Sequence, residues 1–123
     1  MKRRDLLQSA ALLAAVPGLA RADAPFPSKP MRYIVPVAAG GGSDMVGRTV
    51  TERWGQVLKQ SFVVDNMGGG GGVIACQATM RAAPDGYTLM QGYVATHGTS
   101  PATRRLPYDP IKDLDRKSTR LNS

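Results

Sequence analysis

Two glycine-rich turns are the features of this sequence best suited to binding a ligand. The first covers residues 36–44 and contains three consecutive glycines, and the second covers residues 65–72 and contains five. Each turn follows a short strand-like run and precedes a segment with helical spacing. A strand, a glycine turn and a helix N-terminus bring several backbone N–H groups to one place, and glycine lets a ligand approach them closely. The pattern therefore predicts a crevice that holds a small anion.

The order of the elements predicts an α/β fold with a parallel sheet and flanking helices. Compact β-branched runs indicate strands at residues 31–37, 61–65 and 87–92, with Pro36 near the end of the first. Helical segments lie between the strands, and the links are short, which is typical of a parallel sheet. Ligands bind such sheets at the carboxyl ends of the strands. Both glycine turns lie at that edge.

The two predicted helices each have an apolar face. Ser43 is the expected N-cap of the first, and Asp44 lies near the positive end of its dipole. The second covers about residues 72–83 and ends before Pro84. The predicted faces are Val46, Val50, Trp54, Val57 and Leu58 in the first helix, and Ile74, Ala75, Ala78 and Ala82 in the second.

The ends of the chain differ from its middle. Residues 1–22 have a basic start, an apolar stretch and a small-x-small site at Ala20-Arg21-Ala22, which is typical of an export signal. Arg3-Arg4 within this segment resembles a twin-arginine motif, so the general secretory and twin-arginine routes both remain open, and either leads to the periplasm. Residues 115–123 form a polar, basic tail that is either a native terminus or foreign sequence.

Most of the positive charge lies in those ends. The chain has 16 basic and 9 acidic residues, and removal of residues 1–22 and 115–123 leaves nine basic and seven acidic ones. The middle has no stripe of Lys and Arg interleaved with aromatic residues, so no nucleic-acid partner is expected. The single cysteine, Cys76, excludes an intramolecular disulfide and a multi-cysteine zinc site. We predict no metal and no cofactor, and we interpret Cys76 as a small apolar residue on a helix.

Several motifs lie in register along residues 26–114. They are Pro27-Ser28-Lys29-Pro30, Ile34-Val35-Pro36 with the first turn, Asn66 with Gly68 to Gly72, Ala83-Pro84-Asp85-Gly86-Tyr87-Thr88-Leu89, and Leu106-Pro107-Tyr108-Asp109-Pro110-Ile111-Lys112-Asp113. Through these motifs the chain resembles the Bug-type periplasmic solute-binding proteins of tripartite tricarboxylate transporters. Met67, Gly68 and Gly70 depart from the family by replacing its Arg, Pro and Ala, and Ser100 replaces a frequent Asn.

The resemblance implies a two-lobed protein that closes on a small carboxylate and delivers it to membrane permease subunits. Residues 23–114 would be part of the first lobe, within an N-terminal fragment of a longer protein. Backbone N–H groups and ordered waters would hold the carboxylate. The candidate ligand-binding residues are Ala39, Gly40, Gly41, Gly42, Ser43, Asp44, Asn66, Gly69, Gly71, Gly72, Thr96 and His97.

Four of these candidates have a second interpretation. Ser43 is either a hydroxyl donor to the ligand or a helix cap. Asp44 either braces the loop or contacts the ligand through water. His97 and Thr96 follow the third strand, and each is either a ligand contact or an ordinary loop residue.

Other classes of function fit less well. Residues 42–49 have the spacing of a phosphate-binding loop, which makes a nucleotide-binding protein the alternative hypothesis, but Arg48 replaces the lysine and no acidic metal-binding strand follows. An exported hydrolase is also disfavoured, because the sequence has no G-x-S-x-G elbow and no evident nucleophile to work with His97. We therefore predict no catalytic residues and no enzyme activity.

Overall fold

The computed structural model describes residues 25–114. Three strands, β1 (Met31–Val35), β2 (Phe62–Asn66) and β3 (Thr88–Met90), form a parallel sheet in the order β2-β1-β3. Helix α1 (Gly42–Leu58) connects β1 to β2, and α2 (Val73–Arg81) connects β2 to β3. The predicted α/β fold is confirmed. The predicted export signal and basic tail lie outside the described residues.

The strands end together at one edge of the sheet. Pro36 has no N–H to donate, and β1 stops at the residue before it, Val35. Val35 is in register with Asn66 at the end of β2, and Ile34 is in register with Met90 at the end of β3. The loops that follow all three strands therefore share this edge.

The central strand forms the core. Ile34 and Val35 are fully buried, and Met31 and Tyr33 nearly so. In the order β2-β1-β3, the chain moves to one side of β1 to form β2 and then crosses to the other side of β1 to form β3. Right-handed connections then place α1 and α2 on opposite faces, which explains why β1 is apolar at consecutive positions.

Helix α1 packs on the sheet through its smallest residues. A Cβ on Gly47 would lie 2.9 Å from Val35 Cγ2 and 3.4 Å from Tyr33 Cε1, so only glycine permits this approach. Gly47 and Thr51 are buried. The predicted apolar face is wrong for Val46 and Val57, which are 55% and 78% exposed.

Trp54 contacts two aromatic rings of the sheet, those of Tyr33 in β1 and Phe62 in β2. Its ring meets that of Tyr33 edge-on at 5.9 Å between centroids, and it remains 41% exposed. In α2, Ala75 and Cys76 are fully buried whereas Ile74 is 49% exposed. In both helices, therefore, small residues face the sheet. The larger apolar side chains of Val46, Val57 and Ile74 are exposed instead.

A helical segment follows β3 and leads to a buried tyrosine. A wide turn (Ala95–Thr99) continues into the short helix α3 (Ser100–Thr103). The Tyr108 hydroxyl donates to the carbonyl oxygen of Thr96 at 3.5 Å. Burial raises the pKa of Tyr108. Burial also raises the pKa of Cys76, and a hydrogen bond with the Tyr108 hydroxyl offsets part of that rise. Cys76 is thus the small buried residue that the sequence predicts.

The segment before β1 is attached to the start of β3. The N–H of Ser28 donates to the hydroxyl of Tyr87 at 2.9 Å, and the Lys29 ammonium lies 4.3 Å from the centre of the Tyr87 ring. Lys29 also pairs with Asp85 at 3.3 Å. Two of the sequence motifs therefore contact each other. Across residues 25–114, no helix combines the length and apolarity required to span a bilayer.

Candidate functional site

A crevice of about 700 Å³ opens at the carboxyl edge of the sheet. Two loops form most of it: the first loop, residues 36–41, follows β1, and the second loop, residues 67–72, follows β2. Tyr93 closes a third side. The lining residues are Pro36, Val37, Ala38, Ala39, Asn66, Gly68, Gly69, Gly71, Gly72 and Tyr93.

The two loops touch each other at a glycine. A Cβ on Gly68 would lie 3.0 Å from the backbone nitrogen of Ala38, which is tighter than ordinary contact. Next to this contact, the N–H of Met67 donates to the carbonyl oxygen of Val35 at 2.8 Å. The loops therefore continue the pairing of β1 with β2 beyond the strands.

The second loop has a backbone that requires glycine. Gly69, Gly70, Gly71 and Gly72 all have positive φ angles, between 58° and 117°, a region that other residues rarely adopt. At Gly72 there is also no room, because a Cβ would lie 2.2 Å from Cγ2 of Thr96. The glycine run thus sets the shape of the loop, which turns into α2 at Val73.

Several N–H groups in these loops have no acceptor among the described residues. Among residues 25–114, no hydrogen bond is donated by the N–H groups of Val37, Ala38, Ala39, Gly68 or Gly69. They remain available to water or a ligand. Backbone N–H groups at such turns stabilise an anion without a charged side chain.

The Asp44 carboxylate braces the first loop against the end of β2. It accepts hydrogen bonds from the N–H of Gly40 at 2.9 Å, the side-chain amide of Asn66 at 2.9 Å and Nε of Arg48 at 3.0 Å. Asn66 also donates to the carbonyl oxygen of Val37 at 3.3 Å. The N–H of Gly40, then Arg48 and Asn66, lower the pKa of Asp44 to about 2, against the opposing effect of desolvation.

These contacts show which of the two predicted roles Asp44 has, and the start of α1 shows that Ser43 is not its N-cap. The helix N-cap is Gly41 and not Ser43, and no side chain caps the helix. Ser43 is not the cap because the backbone enters the helix two residues earlier, and Asp44 accepts the N–H of Gly40 instead. The bracing interpretation of Asp44 matches its contacts. Its carboxylate also faces the positive helix end, where an anion would otherwise bind.

The geometry gives no support to a phosphate-binding loop. Gly42 is the first residue of α1, so residues 42–49 form its first two turns instead of a loop around a phosphate. The Arg48 guanidinium, which would replace the lysine of that motif, is engaged with Asp44 and with the Asn66 side-chain oxygen at 3.1 Å. Within the described part of the chain, no cluster of His, Cys, Asp or Glu is arranged to hold a metal.

The predicted site residues divide into two groups. Those that line the crevice are Ala39, Asn66, Gly69, Gly71 and Gly72; those that do not are Gly40, Gly41, Gly42, Ser43, Asp44, Thr96 and His97. Thr96 is fully buried beside Gly72. His97 lines a different, mainly apolar groove next to β3, together with Leu89 and Leu114.

The sequence analysis missed five lining residues: Pro36, Val37, Ala38, Gly68 and Tyr93. The first four belong to the two turns already recognised, and their position after a strand was a usable signal. Tyr93 gave none, because a lone tyrosine three residues after a short strand has no distinctive pattern. The second loop is also held by Ser100, whose hydroxyl donates to the carbonyl oxygen of Gly71 at 3.3 Å.

The fold and crevice define a parallel α/β lobe that presents uncharged backbone donors at one edge of its sheet. The sequence profile described as "Tripartite tricarboxylate transporter family receptor" matches residues 46–121. The chain belongs to this family, as its motifs predict, and the family is one of transport receptors and not of enzymes.

Curated relatives agree with this assignment. The chain is 36% identical over 123 residues to a UPF0065 protein of Cupriavidus necator, an alignment covering 94% of this chain and 37% of the relative. It is 41% identical to a UPF0065 protein of Bordetella bronchiseptica (91% and 33% covered) and 42% identical to BugT of Bordetella pertussis (53% and 20% covered). The chain thus spans about a third of the length of the first two relatives.

Solved structures share the fold. A periplasmic transporter at 52% identity superposes with a TM-score of 0.68, covering 71% of this chain and 30% of the other. MatC of Rhodopseudomonas palustris with bound malate is 40% identical and superposes with a TM-score of 0.67. The match covers 72% of this chain and 30% of MatC. A second R. palustris protein, determined with adipate, is 34% identical, with a TM-score of 0.66 and 70% and 29% covered.

We expect Gly72→Ala to destabilise the chain more than Gly40→Ala. Both glycines have φ of 89°, but a Cβ at Gly40 meets nothing within 4 Å whereas one at Gly72 collides with Thr96. Both variants bear a backbone strain of about 1–2 kcal/mol, and overpacking adds about 1–3 kcal/mol at Gly72 alone. Urea unfolding measures the difference, and equal losses in the two variants would contradict the packing of the second loop against Thr96.

We expect Asp44→Asn to reduce stability at neutral pH and to weaken its dependence on acid. The folded-state pKa of about 2 lies below the roughly 3.9 of an unfolded aspartate, so the stabilisation is complete above about pH 4 and is lost between about pH 4 and 2. Urea unfolding at several pH values tests this. Glu52→Gln, on the exposed side of the same helix, is the control. An Asp44→Asn variant with the wild-type acid response would refute the brace.

Proposed function

We propose that this chain is part of the first lobe of a periplasmic receptor that binds a small carboxylate for a tripartite tricarboxylate transporter. The observation that carries the proposal is the group of N–H donors, on residues 37–39 and 68–69, that have no acceptor among the described residues. They come from two loops in contact at one crevice. Ala39, Asn66, Gly69, Gly71 and Gly72 are the lining residues that we assign to the ligand.

A carboxylate fits this chemistry. No Lys, Arg, Asp or Glu is found among the residues that line the crevice, so recognition falls to neutral donors. Hydrogen bonds to a charged partner contribute about 1.5–3 kcal/mol each, and two or three of them orient a planar carboxylate. The structures of relatives with malate and with adipate support the same class of ligand.

The proposal includes a second lobe that closes over the ligand. The described loops form only one wall, and the chain spans about a third of the length of its first curated relatives. A carboxylate on one wall stays largely in water, where its interactions are screened. Closure of a second lobe removes that water, and the closed receptor then delivers the ligand to membrane permease subunits.

We expect the full-length receptor that contains this lobe to bind small carboxylates and not amines or neutral sugars. Calorimetric titration with malate, adipate and benzoate, set against putrescine and glucose, tests the class of ligand. Ala39→Asp should lower carboxylate affinity at least about tenfold by placing a like charge in the crevice. Ala39→Asn, of nearly equal size and neutral, should retain most of it. Binding of amines or sugars alone would overturn the proposal.

We also propose that residues 1–22 direct export, so that the mature protein begins at Asp23 in the periplasm. The basic, apolar and small-residue segments of this leader support the proposal. Intact-mass measurement of the periplasmic fraction should find a chain starting at Asp23. Replacing Arg3-Arg4 with Lys-Lys should block a twin-arginine route but leave a general secretory route working. A cytoplasmic species that keeps residues 1–22 would contradict export.

A further inference from the structure

Tyr93 has the largest side chain among the residues that line the crevice. It follows β3 and lines the crevice together with the two loops, and 36% of its surface is exposed. Within residues 25–114, its hydroxyl makes no hydrogen bond. The side chain is therefore free to meet a ligand, with an apolar ring and one unused polar atom.

The backbone of Tyr93 is held by hydrogen bonds to the Thr96 hydroxyl. The Thr96 hydroxyl accepts from the N–H of Tyr93 at 3.2 Å and lies 2.7 Å from the carbonyl oxygen of Tyr93. Thr96 is fully buried, and its methyl group packs against Gly72 of the second loop. One buried residue therefore sets the position of Tyr93 relative to the second loop.

The remainder of the lining determines which part of a ligand Tyr93 can contact. The unused N–H donors lie on the two loops, at residues 37–39 and 68–69, so they define where a carboxylate group sits. Apart from Asn66, whose amide is engaged with Asp44 and Val37, the lining side chains are apolar or absent. An aromatic ring beside such a carboxylate site meets the body of the ligand.

We propose that Tyr93 is a specificity-determining residue whose ring packs against the ligand body, so that the crevice favours carboxylates with a flat or apolar body over compact hydroxylated ones. The inference rests on the proposed function and refines it. Flat apolar groups gain from contact with an aromatic face, and hydroxyl groups would lose water there with few partners to replace it.

Affinities for benzoate and for L-malate in the full-length receptor test this inference. Wild type should bind benzoate more tightly. Tyr93→Ala should weaken benzoate binding about tenfold or more through lost apolar contact but change malate binding less than about threefold. Tyr93→Phe keeps the ring and should retain benzoate affinity within about twofold. Thermal unfolding of each variant checks that the fold is intact.

The outcomes separate this inference from the proposed function. If neither benzoate nor any other carboxylate binds wild type, the proposed function fails. If carboxylates bind but Tyr93→Ala weakens benzoate and malate equally, or weakens neither, only the role of Tyr93 is refuted. If Tyr93→Phe loses as much benzoate affinity as Tyr93→Ala, the hydroxyl and not the ring contacts the ligand, and the proposal is refuted. If Tyr93→Ala unfolds, nuclear Overhauser effects between the wild-type Tyr93 ring and bound benzoate test whether the two are in contact. Their presence supports the proposal, and their absence refutes it.

Discussion

The Asp44 carboxylate connects the three parts of the molecule on which the crevice depends. It accepts hydrogen bonds from Gly40 in the first loop, from Asn66 at the end of β2 and from Arg48 in α1. A carboxylate as buried as this one would destabilise the fold if its oxygens lacked partners. The same three donors that stabilise its charge also fix the distance between the loops, so the ionisation of Asp44 and the shape of the crevice depend on the same contacts.

This arrangement places one of the protein's own carboxylates at the helix N-terminus. A helix N-terminus attracts negative charge, and the turn before α1 initially suggests a ligand there. Asp44 already supplies that charge from within the first turn, and Arg48 lies against it. The two loops present further N–H groups without an acceptor among the described residues, at residues 37–39 and 68–69. In the proposed function, a ligand meets these backbone N–H groups, and its affinity depends on their geometry more than on net charge.

The sequence predicted the parallel α/β fold and both glycine turns because these depend on local order: strand, turn, helix. It failed where packing between distant elements decides the outcome. Val46 and Val57 have helical spacing, yet the side of α1 that reaches the sheet is the one where Gly47 permits contact with Val35 and Tyr33. Tyr93 could not be predicted because only the β2-β1-β3 strand order brings the segment after β3 beside the two loops.

A run of five glycines would by itself form a mobile loop, since each ordered glycine loses about 0.5–1 kcal/mol more conformational entropy than alanine. The structure offsets this cost with contacts from residues that follow β3. Thr96 packs on Gly72, the Ser100 hydroxyl donates to the carbonyl oxygen of Gly71, and Arg104 donates to that of Gly70 at 3.4 Å. These contacts engage the carbonyl oxygens and the far side of the loop, and they leave the N–H groups of Gly68 and Gly69 free. The segment after β3 therefore does more than continue the chain, because its contacts hold the glycine run of the second loop in place.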